Sequence, residues 1–230
     1  MDFIWEGIRD AARMIGRLDR EILLILWTSC KVSGGATLVA CAIGLPAGFV
    51  LGLSDFPGRR ILRTVLNSLM ALPTVAVGLF LYALFTQRGP LGSMELLFTQ
   101  PAMVVGQVVL ATPIITALVT AAVEGIDRRI WPTALTLGAG PIRAGITVLG
   151  EVQLSVLAAV AAGFGRVIAE VGCAMMLGGN IKGATRTLTT AIAFETGKGE
   201  FSLGIALGIV LLGIVFLVNF VVQYFQARSG

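Results

Sequence analysis

From Ile22 to Leu53 the chain runs almost without interruption through apolar residues, and no other feature limits its fold so strongly. As one helix that run would reach about 48 Å, well beyond a hydrocarbon core of about 30 Å, so it reads as a tilted membrane span whose first turns protrude. Gly34, Gly35, Gly44, Pro46 and Gly48 within it allow close helix packing or a kink. Composition extends the reading to the rest of the chain. Its residues are 56% hydrophobic and 13% charged, with a mean hydropathy of +0.91. An ordinary soluble domain is about one quarter charged. The prediction is an all-α, polytopic membrane protein with a single transmembrane domain over residues 1–230.

Four further spans are expected. The second runs from Ile61 to Phe85 through Ala71-Leu72-Pro73-Thr74-Val75, where the proline frees a carbonyl in mid-membrane. Such a break is tolerated where neighbours or a water-lined cavity re-satisfy the backbone. After a polar loop from Gln87 to Gln100, Pro101 opens a third span to Val123, broken again at Thr112-Pro113. Its Gln107, Thr112, Thr116 and Thr120 either line a polar path or hydrogen-bond between helices. The fourth, Val152 to Met176, carries Arg166 and Glu170 one turn apart, read as a neutralised structural ion pair with a role in the path as the alternative. The glycine turn from Gly178 leads into a short interfacial or re-entrant helix ending before Gly197, and the last span runs from Leu203 to Val222.

Before the first span, Ile4, Ile8, Ala11, Ile15, Leu18 and Ile22 recur at helical steps opposite Glu6, Arg9, Asp10, Arg13, Arg17 and Arg20. Residues 1–21 therefore read as an amphipathic interfacial helix. Acidic residues crowd it, which argues against a cleavable signal peptide. The formal charge of +4 is scattered singly among loops without a basic, aromatic-rich patch. That pattern suits lipid headgroups and excludes a nucleic-acid partner. Cys30, Cys41 and Cys173 sit in apolar surroundings, and the chain has no histidine. No metal site and no catalytic set of nucleophile, base and orienting group follow from these residues.

Between Gly125 and Gly150 the chain turns polar and reads Trp131-Pro132-Thr133-Ala134-Leu135-Thr136-Leu137-Gly138-Ala139-Gly140-Pro141-Ile142-Arg143. Two short helices joined at glycines are expected, with Pro132 at a first helical position, Gly138 at a left-handed helix end and Pro141 opening the second helix. The apolar face Ile130, Ala134 and Leu137 is too short for a core and lies beside Asp127, Arg128, Arg129 and Arg143. The knob either seats in the groove of another protein or is a folded connecting loop.

This segment, taken as residues 124–150, resembles the coupling-helix motif of ABC importer membrane subunits: Glu-Ala-Ala, three residues, Gly, nine residues, Ile, one residue, Leu-Pro. Ala134 takes the second alanine, Gly138 the glycine and Val148 the isoleucine, whereas Pro132, Thr133 and Gly150-Glu151 depart from the motif. Ala71 to Gly78, Arg88 to Gly92 and Gly179 to Thr187 are similar to the oxyanion branch of these permeases, which handles molybdate, tungstate and sulfate. The overall run is most similar to the tungstate permeases.

The resemblance implies a permease fold of the molybdate and methionine type in a prokaryotic inner membrane. It implies a homodimer surrounded by lipid, two ATP-binding-cassette ATPase subunits, and an extracytoplasmic solute-binding protein. The ATPases would dock on Pro132, Thr133, Ala134, Leu137, Gly138, Ala139 and Val148. No cofactor is expected in this chain, ATP and Mg belonging to the ATPase. The path and outer gate would involve Pro73, Thr74, Gln107, Thr112, Thr116, Gly179, Asn180, Lys182 and Arg186. There Lys182 and Arg186 either draw an oxyanion or touch lipid headgroups.

Importing a dianion against an inside-negative potential costs about 4 to 5 kcal/mol per 100 mV. The sequence has no Gly-x-x-x-x-Gly-Lys-Ser/Thr loop to draw that work from ATP itself. Counting Lys and Arg does not orient the spans. The knob side holds seven (Arg59, Arg60, Arg63, Arg128, Arg129, Arg143, Arg228) and the other side eight (Arg9, Arg13, Arg17, Arg20, Arg88, Lys182, Arg186, Lys198). The resemblance orients them instead, with the knob and the C-terminus cytoplasmic. The rival readings are a self-sufficient secondary transporter or channel for a small anion, which the broken helices also permit, and a membrane enzyme or scaffold.

Overall fold

The computed structural model describes residues 20–127 and 129–229, with 5, 8, 9, 12, 13 and 16 before them. Those six are helical, and the rest of the amphipathic helix expected over 1–21 lies outside the described residues. The described chain is helical without strands: α1 (Arg20–Leu53), α2 (Arg59–Met70), α3 (Thr74–Phe85), α4 (Gln100–Glu124), α5 (Ile130–Thr136), α6 (Pro141–Glu151), α7 (Gln153–Ile168), α8 (Gly172–Gly178), α9 (Leu188–Gly197) and α10 (Phe201–Ser229). Helices α1, α4 and α10 are each long and apolar enough to cross a membrane. The second stretch is not one span helix, because α2 and α3 meet at 95°. Pro73 caps α3 with φ −62° and ψ 118°, and a proline pushes the residue before it out of the helical region.

The break expected at Thr112-Pro113 is absent and one unexpected break is present. Pro113 stays inside α4 and Pro46 inside α1. The fourth apolar stretch is interrupted instead, α7 stopping at Ile168 and α8 starting at Gly172. It is also bent 72° from α6.

The centre of the fold is the pairing of α1 with α4. Gly44, Gly48 and Gly52 turn one side of α1 into backbone, and Ile115, Thr116, Val119 and Val123 of α4 fill it. A Cβ on Gly48 would stand 2.7 Å from the carbonyl oxygen of Thr116 and 2.8 Å from the Cβ of Val119. In lipid such close van der Waals packing of small residues replaces the hydrophobic drive. Cluster residues Ala40, Ala111, Val148, Val152 and Val167 continue this core toward α6 and α7. A second cluster joins α3, α4 and α8 through Leu81, Phe85, Met103 and Leu177. A third joins α1, α9 and α10 through Ile22, Ile25, Leu188, Ala191 and Leu207.

Polar contacts define two ends. At one, Glu21 of α1 bonds Lys182 at 2.7 Å, and Gln100 at the start of α4 donates to Ala184 O at 2.6 Å. At the other, Glu124 at the end of α4 holds Arg63 at 2.8 Å, and Gln226 of α10 reaches Leu154 O at 3.5 Å. The 130–151 knob is continuous with this second end.

Candidate coupling knob and transport path

Helix α5 ends as the glycine pattern predicts. Ala139 N–H donates to Ala134 O and Gly138 N–H to Leu135 O, each at 3.0 Å, with Gly138 at φ 87°. This is the paired-bond ending of a left-handed C-terminal glycine. Pro141 opens α6, as expected. Pro132 does not open α5, which begins at Ile130; it occupies the third position, where its missing N–H is still an orphan of the first turn.

The expected single apolar face is divided. Ile130 and Trp131 pack against the α1–α4 core, and Val148 and Ala144 of α6 are fully buried. Leu137 and Ile142 stand out on either side of the turn, 83% and 80% exposed. Pro132 and Thr133 are exposed beside them, and Ala134 and Ala139 half-buried. The knob is thus rooted by one side and offers the other. Behind it Arg59 donates to Leu51 O at 2.9 Å and Gly52 O at 3.1 Å, pairs with Asp55 and Glu124, and so ties the ends of α1, α2 and α4 together. A cation over helix C-terminal carbonyls also meets the favourable end of the dipole.

At the opposite end, Gly179 (φ 68°) and Asn180 (φ 52°) form a left-handed turn. Asn180 is buried, and neither of its side-chain polar atoms has a hydrogen-bond partner among the described residues. The two cations expected to draw an anion are both paired with carboxylates. Lys182 bonds Glu21, and Arg186 lies 3.2 Å from Glu195 and 3.6 Å from Glu21, with its guanidinium 5.2 Å from the Phe194 ring centroid.

Residues expected along the path divide in two. Gln107 and Thr116 are buried between helices. The Thr112 and Thr116 hydroxyls donate back to Val108 O and Thr112 O, each at 2.7 Å, and Gln107 donates to Val167 O at 3.2 Å. Each thus donates to a helix carbonyl, while Gln107 Oε1 has no hydrogen-bond partner among the described residues. Pro73 and Thr74, by contrast, sit where α3 starts, and Thr74 Oγ1 would be 3.2 Å from a Cβ on Gly172. The break before α3 therefore abuts the break before α8.

At that second break Arg166 and Glu170 pair at 3.2 Å. The Glu170 side chain is 2% exposed and that of Arg166 39%. Glu170 also accepts from Cys173 N–H at 3.0 Å, satisfying an orphan donor in the first turn of α8, and its carbonyl accepts from Thr189 at 2.8 Å. Sequence reasoning missed the two-faced helix α2, whose arginines and polar residues line one side. The signal was present as helical periodicity over 59–70, hidden by treating those residues as the start of one apolar span.

Comparison with known proteins agrees with this geometry. The sequence model of the family described as binding-protein-dependent transport system inner membrane component matches residues 44–229. The chain is 40% identical over 221 residues to the tungstate uptake system permease protein TupB of Campylobacter jejuni, covering 96% of this chain and 92% of that one. It is 38% identical to the protein of the same name from Peptoclostridium acidaminophilum, covering 98% and 99%. To the molybdenum transport system permease protein ModB of Escherichia coli it is 30% identical, covering 75% and 80%. Its fold matches a chain of the MetNI methionine ABC transporter solved in inward-facing conformations, with a TM-score of 0.72 at 19% identity over 95% of this chain and 98% of that one. With the rooted knob, the broken helices and this full-length likeness, the chain belongs to the family of binding-protein-dependent transport system inner membrane components, the multi-pass permease subunits of ABC importers.

Proposed function

We propose that this chain forms the oxyanion pathway of an ATP-driven importer, with tungstate as the substrate, and that it works by alternating access. The observation that carries the proposal is the knob, with Leu137 and Ile142 exposed on either side of the Gly138 turn. Burying such a side chain against a partner is worth about 2 kcal/mol, which lets an ATPase seat there. The choice of anion rests on the two tungstate-uptake relatives at 40% and 38% identity.

In this reading the crossings are α1, α2 with α3, α4, α7 with α8, and α10, with the knob in the cytoplasm and the turn at Gly179 outside. Two copies enclose the path, two ATPase subunits bind ATP and Mg, and an extracytoplasmic binding protein delivers the anion. The homodimer gives α10 a partner. Leu212, Phe216, Asn219 and Gln223 follow one another at steps of four, three and four and are all exposed. The Asn219 amide reaches only Val215 O of its own helix, at 2.9 Å. Amide side chains on a membrane helix are satisfied by a facing helix, not by lipid.

Proteoliposomes holding this chain with its ATPase and binding protein test the proposal. The expected result is ATP-dependent tungstate uptake that exceeds molybdate and sulfate uptake. Uptake by this chain alone without ATP would establish a self-sufficient transporter instead.

A further inference from the structure

Helix α2 is two-faced. Ile61, Leu62, Val65, Leu66 and Leu69 fall on one side, and Arg60, Arg63, Thr64 and Asn67 on the other. No residue of α2 is buried, although the helix packs beside α4. A helix surrounded by lipid or protein core is apolar all round, so the polar side of α2 needs water or a polar ligand opposite it. Arg59 and Arg63 are already held by Glu124, and Arg59 also by Asp55. Arg60 has no carboxylate partner among the described residues. It shares an open hollow with Thr64, one turn on, and Asn67, two turns on.

Three arginines against two carboxylates leave this cluster one net positive charge, and that charge is on the exposed Arg60. A guanidinium and an amide on one helix face are donors suited to a tetrahedral oxyanion, and the Thr64 hydroxyl, which donates to Arg60 O at 3.0 Å, joins them by rotating away from that carbonyl. We propose that Arg60, Thr64 and Asn67 form an inner oxyanion site on the wall of the path, through which the substrate leaves toward the knob end. The inference rests on the importer reading above. A single net charge in a hydrated hollow attracts a dianion but holds it loosely, which suits an exit. A lipid phosphate offers the same chemistry, so the test must separate the two sources.

The test uses the complete transporter in proteoliposomes, in a cysteine-free background carrying Phe56→Cys, on the rim of the same hollow, as a reporter. Tungstate on the knob side should slow labelling of that cysteine by a neutral maleimide, equally in phosphatidylcholine and phosphatidylglycerol vesicles. Arg60→Gln should abolish the protection and lower tungstate uptake about tenfold at wild-type membrane abundance. Arg60→Lys should recover part of both. Asn67→Leu, which leaves every charge in place, should weaken protection in the same direction and stands in if Arg60→Gln fails to reach the membrane. Protection by phosphatidylglycerol but not by tungstate assigns the face to lipid and overturns the site. Normal uptake with Arg60→Gln also overturns it while leaving the importer intact. Absence of oxyanion uptake by the unaltered transporter overturns the importer reading and the site together.

Discussion

A single backbone angle governs the knob. Gly138 is at φ 87°, and a Cβ added there would meet nothing within 4 Å. Gly138→Val therefore acts through backbone strain alone, about 1 to 2 kcal/mol. The variant should reach the membrane normally and lose ATPase on co-purification, and Gly138→Asn should restore much of it because asparagine tolerates this conformation. Full ATPase recovery with valine would sink the docking assignment. The Arg166 and Glu170 pair looks symmetrical in sequence but not in space. Glu170 is buried, satisfies Cys173 N–H and meets Arg166, whereas Arg166 is part-exposed. Glu170→Ala should thus lower membrane abundance and thermal stability more than Arg166→Ala, by about 1 to 3 kcal/mol, and the double variant should recover only partly. Glu170→Gln, which still accepts from Cys173 N–H, should lie between. Equal losses in both single variants with full recovery in the double would restore the simple pair. Gly138 and Pro141 were legible because helix ends are local chemistry. Gln107 and Thr116 were not, because periodicity shows that a helix has a polar side but not what covers it.

Proline placement shows what decides a helix break in this fold. Pro46 and Pro113 each remove one intrahelical N–H yet lie inside α1 and α4, which are pressed together through Gly44 and Gly48 against Ile115, Thr116 and Val119. Packing along that seam outweighs the lost bond and holds both helices through the proline. Pro73 follows α2, which has no buried residue and no comparable seam, and there the chain turns by 95°. Apolar length was therefore readable from the sequence, whereas continuity depended on a facing helix that it does not record. The same logic applies to α10, which is apolar from Leu203 to Val218 and then carries Asn219, Gln223, Gln226 and Arg228. If a second copy covers that side, Leu212→Cys in a cysteine-free background should cross-link between copies under mild oxidation. Adding Asn219→Leu should weaken dimerisation by about 1 kcal/mol in detergent, read as a shift of the monomer–dimer midpoint. No cross-link at Leu212, with dimers persisting, would move the interface elsewhere.

At the scale of the molecule the unresolved quantity in the sequence was direction, since seven basic residues face eight. The structure fixes which loops share an end, and the importer reading assigns the knob end to the cytoplasm. Lys182 and Arg186 meet Glu21 at the start of α1, while Glu124 and the 130–151 knob lie beyond its other end, the axis of α1 being about 51 Å long. Cysteines at Gly140 and Gly183 should therefore label from opposite faces of the membrane. Both positions are exposed with nothing within 4 Å of an added Cβ. Gly140 lies at φ −67° and accepts a side chain without strain, whereas Gly183 at φ 78° pays about 1 kcal/mol, so Ile181→Cys, at a 45% exposed residue, serves as its control. In inside-out and right-side-out vesicles with an impermeant maleimide, Gly140→Cys should react only from the cytoplasmic face, and Gly183→Cys and Ile181→Cys only from the outer face. Labelling of both ends from one side would mean that α7 and α8, the crossing that separates the two positions, return to the face they entered, reducing the crossings by one. Labelling from exchanged sides would put the knob outside, where no ATPase can reach Leu137 and Ile142, and the ATP-driven reading would then fail whatever the anion.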